Sequence, residues 1–69
     1  MKVVTSFKSK TKYTVVPKKG GGYLVSMKPM ASDWSKSMTV GGDFMTVAQA
    51  VGFIDRYDDA IIALQKEAA

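Results

Sequence analysis

Seven apolar residues, Val47, Ala50, Ile54, Tyr57, Ile61, Leu64 and Ala68, recur at alternating spacings of three and four through the last third of the chain. Only an α-helix puts such a series on one face. Val51 and Phe53 widen the stripe, while Asp55, Asp59 and Lys66 fall away from it. The run Thr46-Val47-Ala48-Gln49 just before it is a capping box. In such a box the Thr hydroxyl accepts from the backbone N–H three residues on, and the Gln side chain reaches back. A helix is therefore expected over about residues 46–67. Gly52 lies inside it at a propensity cost of about 1 kcal/mol relative to alanine. A close approach of the helix to a sheet would explain that glycine, and so would simple tolerance.

A helix with one apolar stripe must bury it, and the preceding residues offer strands to do so. Val3–Phe7, Lys12–Val16, Tyr23–Lys28 and Trp34–Val40 are rich in Val, Tyr and Thr, which favour the pleated conformation. Lys18-Lys19-Gly20-Gly21-Gly22 reads as a hairpin loop whose glycines supply positive φ. Pro17 and Pro29 fall at strand ends, where a missing N–H does least harm. Met30–Asp33 is a looser connection, and Gly41-Gly42-Asp43 is expected to end the last strand and turn the chain into the helix. The expected fold is α+β: three or four antiparallel strands, spanning about residues 2–41, packed on one C-terminal amphipathic helix. The order is β-β-β-β-α, or β-β-β-α if the first segment is a loose arm.

At 69 residues this is a single domain over 1–69. With neither cysteine nor histidine, disulfides and the usual zinc sites are closed to it, which leaves local packing or self-association as sources of stability. The N-terminus lacks a signal-peptide core, and no window approaches the about 20 apolar residues that cross a bilayer. A soluble, cytoplasmic protein with no membrane role is expected, in the host cytoplasm if the chain is phage-encoded.

Charge is unevenly distributed. Residues 1–40 hold eight lysines against Asp33 alone, a net of +7, while residues 41–69 sum to −3. Side chains alternate across a strand. If the odd positions of the first three strands face the helix, Val3, Phe7, Tyr13, Val15, Tyr23, Val25 and Met27 join the core. Lys2, Val4, Ser6, Lys8, Lys12, Thr14, Val16, Leu24, Ser26 and Lys28 then face outward, with Lys10 and Lys18 in adjoining turns. In the last strand Met38 and Val40 are expected inward, and Ser35, Ser37 and Thr39 outward.

Such a face, lysine and hydroxyl with hardly any acid, suits a phosphate backbone. The expected nucleic-acid contacts are Lys8, Lys10, Lys12, Lys18, Lys19 and Lys28, with DNA ahead of RNA. The lysines equally suit a solvated surface that protects edge strands. No arginine lies in the sheet, and Tyr13 and Tyr23 are assigned to the core, so base reading and base stacking are poorly supplied. Trp34 reads first as a core edge and second as an exposed stacking residue. Met27, Met30, Met38 and Met45 read first as core filling, with Met30 the best placed for exposure.

The run Gly42-Asp43-Phe44-Met45-Thr46-Val47-Ala48-Gln49-Ala50, followed by Phe53-Ile54-Asp55-Arg56-Tyr57-Asp58-Asp59-Ala60-Ile61, resembles the sheet-plus-helix DNA-binding domains of the AP2 type and the amino-terminal domains of tyrosine-type integrases. The likeness spans roughly 45 residues and implies DNA binding through the exposed face of the sheet. Lysine and serine stand where that family uses arginine and tryptophan. The strand order is also similar to the PC4-like single-strand binders, whose dimers bind through the sheet.

Catalysis is not expected. Without His or Cys the commonest general base and the thiol nucleophile are missing, and no serine sits in a Gly-x-Ser-x-Gly context. The triple-glycine loop lacks phosphate-loop spacing. Asp55, Asp58 and Asp59 are read as a solvated acidic helix face rather than a metal site, since no carbonyl-rich loop completes a calcium shell. No metal or cofactor is expected. Two other functions stay open. One is a protein-interaction module, similar to small phage inhibitors such as anti-CRISPR proteins, that binds a host protein through Met30, Trp34 and Lys36. The other is a homodimer or larger homo-oligomer whose sheet edges pair.

Overall fold

A computed structural model describes residues 2–30 and 37–68. Four strands, β1 (Lys2–Ser6), β2 (Thr11–Pro17), β3 (Tyr23–Pro29) and β4 (Met38–Phe44), are followed by one helix, α1 (Val47–Ala68). The strands form a single antiparallel meander in the order β1-β2-β3-β4. The α+β fold with β-β-β-β-α order is therefore as expected, and the first segment is a paired strand.

The capping box forms. Thr46 Oγ1 accepts from the Gln49 N–H at 3.1 Å, while Gln49 Oε1 accepts from the Met45 N–H at 2.8 Å. Tyr13, Val15, Val25, Ala50 and Ile54 are fully buried between sheet and helix. Val4, Tyr23, Met27, Val40, Phe44, Phe53 and Tyr57 pack around them. Phe44, Phe53 and Tyr57 run as a ladder, with ring centroids 5.1 and 5.5 Å apart, and Tyr57 meets Tyr13 edge to face at 6.3 Å. These are favoured aromatic geometries.

Three expectations require correction, and for Gly52 one of two open alternatives holds. The first concerns β1. Val3 is 50% and Phe7 77% exposed, whereas Val4 packs on the core. The cause is loop length. Four residues, 7–10, join β1 to β2, so Val4 pairs Tyr13 and even positions of β1 share a face with odd positions of β2. Five residues, 18–22, join β2 to β3, so Val15 pairs Val25 and parity is kept. Lys2, Val4 and Ser6 therefore lie on the helix side, and Val3 and Thr5 on the open side.

The second concerns β4, which runs to Phe44 instead of ending at Val40. Gly41-Gly42-Asp43 is strand, not turn. Its pairing with β3 skips between Val25 and Ser26 and again between Tyr23 and Val25. Each skip is an extra β4 residue of the kind that makes a bulge, and Asp43 takes a left-handed φ of 63°. The beginning of the expected strand, including Trp34, Ser35 and Lys36, lies outside the described residues, as does most of the Met30–Asp33 connection. Within β4, Val40 packs on the core as expected, but Met38 is 58% exposed.

The Gly52 alternatives turn on which glycine permits close approach. A Cβ on Gly41 would sit 2.8 Å from the Phe53 ring, while a Cβ on Gly52 would meet nothing within 4 Å. The helix comes down on β4 at Gly41, and Gly52 is merely tolerated.

The third concerns the end of the apolar stripe. Leu64 is 65% exposed. A 22-residue helix is about 33 Å long, whereas a seven-residue strand spans about 23 Å. The last turns of the helix therefore reach past β2 toward the β1–β2 turn, where Gln65 bonds the Ser9 carbonyl at 3.2 Å, and Leu64 is left uncovered.

Candidate nucleic-acid interface

The face of the sheet opposite α1 is built from three rows of directly paired residues, which share a face because they are cross-strand partners. Thr5, Lys12 and Lys28 form the first row. Val3, Thr14, Ser26 and Thr39 form the second. Val16 and Leu24 form the third. No acid occurs in any row, and among the described residues no element covers this face. The described acids are Asp43, at the β4 bulge, and Asp55, Asp58, Asp59 and Glu67 on the helix. The rows of the open face thus carry two lysines, Lys12 and Lys28, and no acid.

Lys12 and Lys28 stand directly opposite each other on neighbouring strands. Like charges so placed oppose folding by up to about 1 kcal/mol. Neither joins the one salt bridge among the described residues, Lys18 with Asp43. The pair is a bare cationic spot beside a line of three hydroxyls, Thr14, Ser26 and Thr39. Lys10 lies at the same end of the sheet, in the turn before β2, with a left-handed φ of 55°. Its carbonyl accepts from the Met30 N–H at 3.0 Å, which extends the pairing of β2 and β3 by one bond.

The other three lysines lie elsewhere, so the six do not form one surface. Lys8 is on the helix side, where it lines a shallow cleft with Ile62, Gln65 and Lys66. Lys18 bonds Asp43, and that contact holds the Asp43 carboxyl below its ordinary range. Lys19 projects from the exposed tip of the glycine hairpin, at the opposite end from Lys12. Of the residues expected to touch a protein partner, Met30 is 37% exposed. Trp34 and Lys36 lie outside the described residues.

The reading of Asp58 as part of a solvated acidic face is overturned. Asp55 and Asp59 are exposed, but Asp58 is half-buried. Its carboxylate accepts from Ser6 Oγ at 2.6 Å, Ser9 Oγ at 2.6 Å and Tyr13 Oη at 2.8 Å. Burial alone would push the Asp58 carboxyl up. The three hydroxyl donors, helped by the charge of Lys8, outweigh it and hold the group below its ordinary range. The same burial, together with the Asp58 carboxylate, drives the Tyr13 phenol above its ordinary range. Ser9 is buried, and its carbonyl accepts from Thr11 Oγ1 and Gln65 Nε2, each at 3.2 Å. The cluster ties the β1–β2 turn to the middle of the helix. All three hydroxyls are spent as donors to one carboxylate, which suits a structural clamp.

Comparison with known proteins finds no match among protein-family models, curated proteins or solved structures. The geometry therefore carries the functional argument by itself.

Sequence reasoning singled out Lys12 and Lys28 but not their opposition, which depends on the β2–β3 register. It missed the Asp58 cluster. Ser6 and Ser9 carry no spacing signal that ties them to a helix about fifty residues away. A clue was available in the four-residue turn, since its length decides which side of the sheet Ser6 occupies.

Proposed function

We propose that this chain is a small non-enzymatic module that binds a nucleic-acid phosphate backbone on the open face of its sheet. The observation that carries the reading is the Lys12–Lys28 pair, an unneutralised like-charge contact on an acid-free face. A phosphate between the two ammonium groups converts an unfavourable contact into two charge-assisted hydrogen bonds. Thr14, Ser26 and Thr39 supply further hydroxyl donors to neighbouring phosphate oxygens. Lys10 adds a third cation at the same end.

Binding of this kind is sequence-independent. The face carries no arginine for guanine and no aromatic in its three rows for stacking. DNA is favoured over RNA because the B-form major groove admits a two-stranded ribbon such as β2–β3, which carries Lys12 and Lys28, whereas the deep, narrow major groove of A-form RNA does not. Fluorescence anisotropy with labelled duplex and single-stranded oligonucleotides across a salt series tests the proposal. With Lys10, Lys12 and Lys28 each replacing a counterion, the plot of log affinity against log salt for duplex DNA has a slope of about −2.7 per protomer. Absence of binding at low salt to every oligonucleotide refutes the reading.

A second reading is favoured by exposed apolar residues, Val3, Phe7, Met30 and Met38. It is a protein-interaction module, of the kind seen in phage inhibitors such as anti-CRISPR proteins, that docks on an acidic host surface. A stable complex recovered with a protein, insensitive to added DNA, would favour it.

A further inference from the structure

The two edges of the sheet differ in kind. β4 carries two bulges, two glycines and a left-handed Asp43. Such irregularity is a usual defence against edge-to-edge pairing. β1 has none of it: Lys2–Ser6 keep unbroken register with β2, with no proline, glycine or positive φ. Its other row of N–H and C=O groups faces away from β2. Outside the ladder itself, no backbone-to-backbone hydrogen bond among the described residues involves residues 2–6.

We propose that β1 is the seam of a two-fold symmetric dimer, in which β1 pairs antiparallel with β1 of a second copy to make one eight-stranded sheet. Centring the two-fold on Val4 pairs all five residues. Val4 then opposes the partner's Val4, Val3 opposes the partner's Thr5, and Lys2 opposes the partner's Ser6. Charge complementarity selects this register. Lys2 and Ser6 both lie on the helix side, and Ser6 Oγ donates to Asp58 at 2.6 Å. Lys2, exposed within its own chain, therefore comes to the partner's Asp58 carboxylate, and the contact is made twice. No like charges are opposed along the seam. Self-association also answers the size of the core. Five fully buried apolar side chains among the described residues are few for a domain without a cysteine to form a disulfide.

Sedimentation equilibrium from micromolar to millimolar protein tests the seam. The average mass is expected to rise from 7.5 kDa toward twice that value. Val3→Glu combined with Thr5→Glu sets like charges against each other across the two-fold. Both sites are exposed, and position 5 pairs Lys12 within the chain, so the monomer fold is kept while dimerisation is lost. Lys2→Glu faces the partner's Asp58 and weakens dimerisation by about tenfold or more. It serves as the independent variant should circular dichroism show that the double substitution unfolds the chain. A wild-type mass that stays at 7.5 kDa throughout overturns the proposal. So does a dimer that survives either change in full.

Discussion

Replacing Asp58 by alanine removes the one acceptor shared by Ser6, Ser9 and Tyr13. Ser6 is half-buried near the sheet edge, and its hydroxyl can turn to water. Tyr13 is fully buried, so its phenol is left without its partner, at about 1–3 kcal/mol. Hydrogen bonds to a charged group contribute about 1.5–3 kcal/mol each, but three on one half-exposed carboxylate do not add. A total loss of about 2–4 kcal/mol follows. A domain of this length is stable by roughly 3–10 kcal/mol, so Asp58→Ala removes a large part of it and lowers Tm by about 10–25 °C.

Urea denaturation followed by circular dichroism reads the effect as a fall in midpoint with unchanged slope. The pH dependence separates this mechanism from a loss of packing. Asp58 titrates below its ordinary value of 3.8 in the folded state. Its contribution is therefore complete above the unfolded value and disappears as pH falls through the lowered folded one. The stability difference between wild type and Asp58→Ala should be constant near neutrality and shrink below pH 3.8. A loss under about 1 kcal/mol, or a difference unchanged in acid, would refute the clamp.

Gly52→Ala should raise stability by about 0.5–1 kcal/mol, since the site is helical, has a φ that alanine accepts, and has open space for a methyl. Thermal denaturation checks it. Gly41→Ala should lower stability by about 1–3 kcal/mol, because its methyl would meet the Phe53 ring at 2.8 Å. A neutral result would mean that the helix does not sit down on β4. Ile54→Ala should cost about 2–5 kcal/mol and Leu64→Ala under about 1 kcal/mol, although both belong to one apolar stripe. Comparable losses would show that the last turns of the helix are covered in solution.

The helix and its cap were legible because a long, strongly periodic segment leaves few alternatives. The cap differs only in that Gln49 reaches Met45 rather than Thr46. The strands were legible as elements but not in orientation. Lys2-Val3-Val4-Thr5-Ser6 has no clean alternation, so its apolar residues could not choose a side, and the turn length chose for them. Gly41-Gly42 reads as a turn in sequence because two glycines usually break a strand. Here the first makes room for Phe53, which only the packed helix reveals. The lysine content pointed toward a cationic face. Its distribution did not, because Asp43 neutralises Lys18 and the β1–β2 turn carries Lys8 to the far side.

The central claim is that one face, centred on Lys12 and Lys28, does the binding, and charge elsewhere on the molecule does not. The salt dependence of duplex-DNA affinity should be compared between two double variants of equal net charge, Lys12→Ala with Lys28→Ala and Lys8→Ala with Lys18→Ala. The first pair should cut the slope from about −2.7 to about −0.9, and the second should leave it unchanged. Equal losses from both pairs would show attraction to net charge alone and contradict the account.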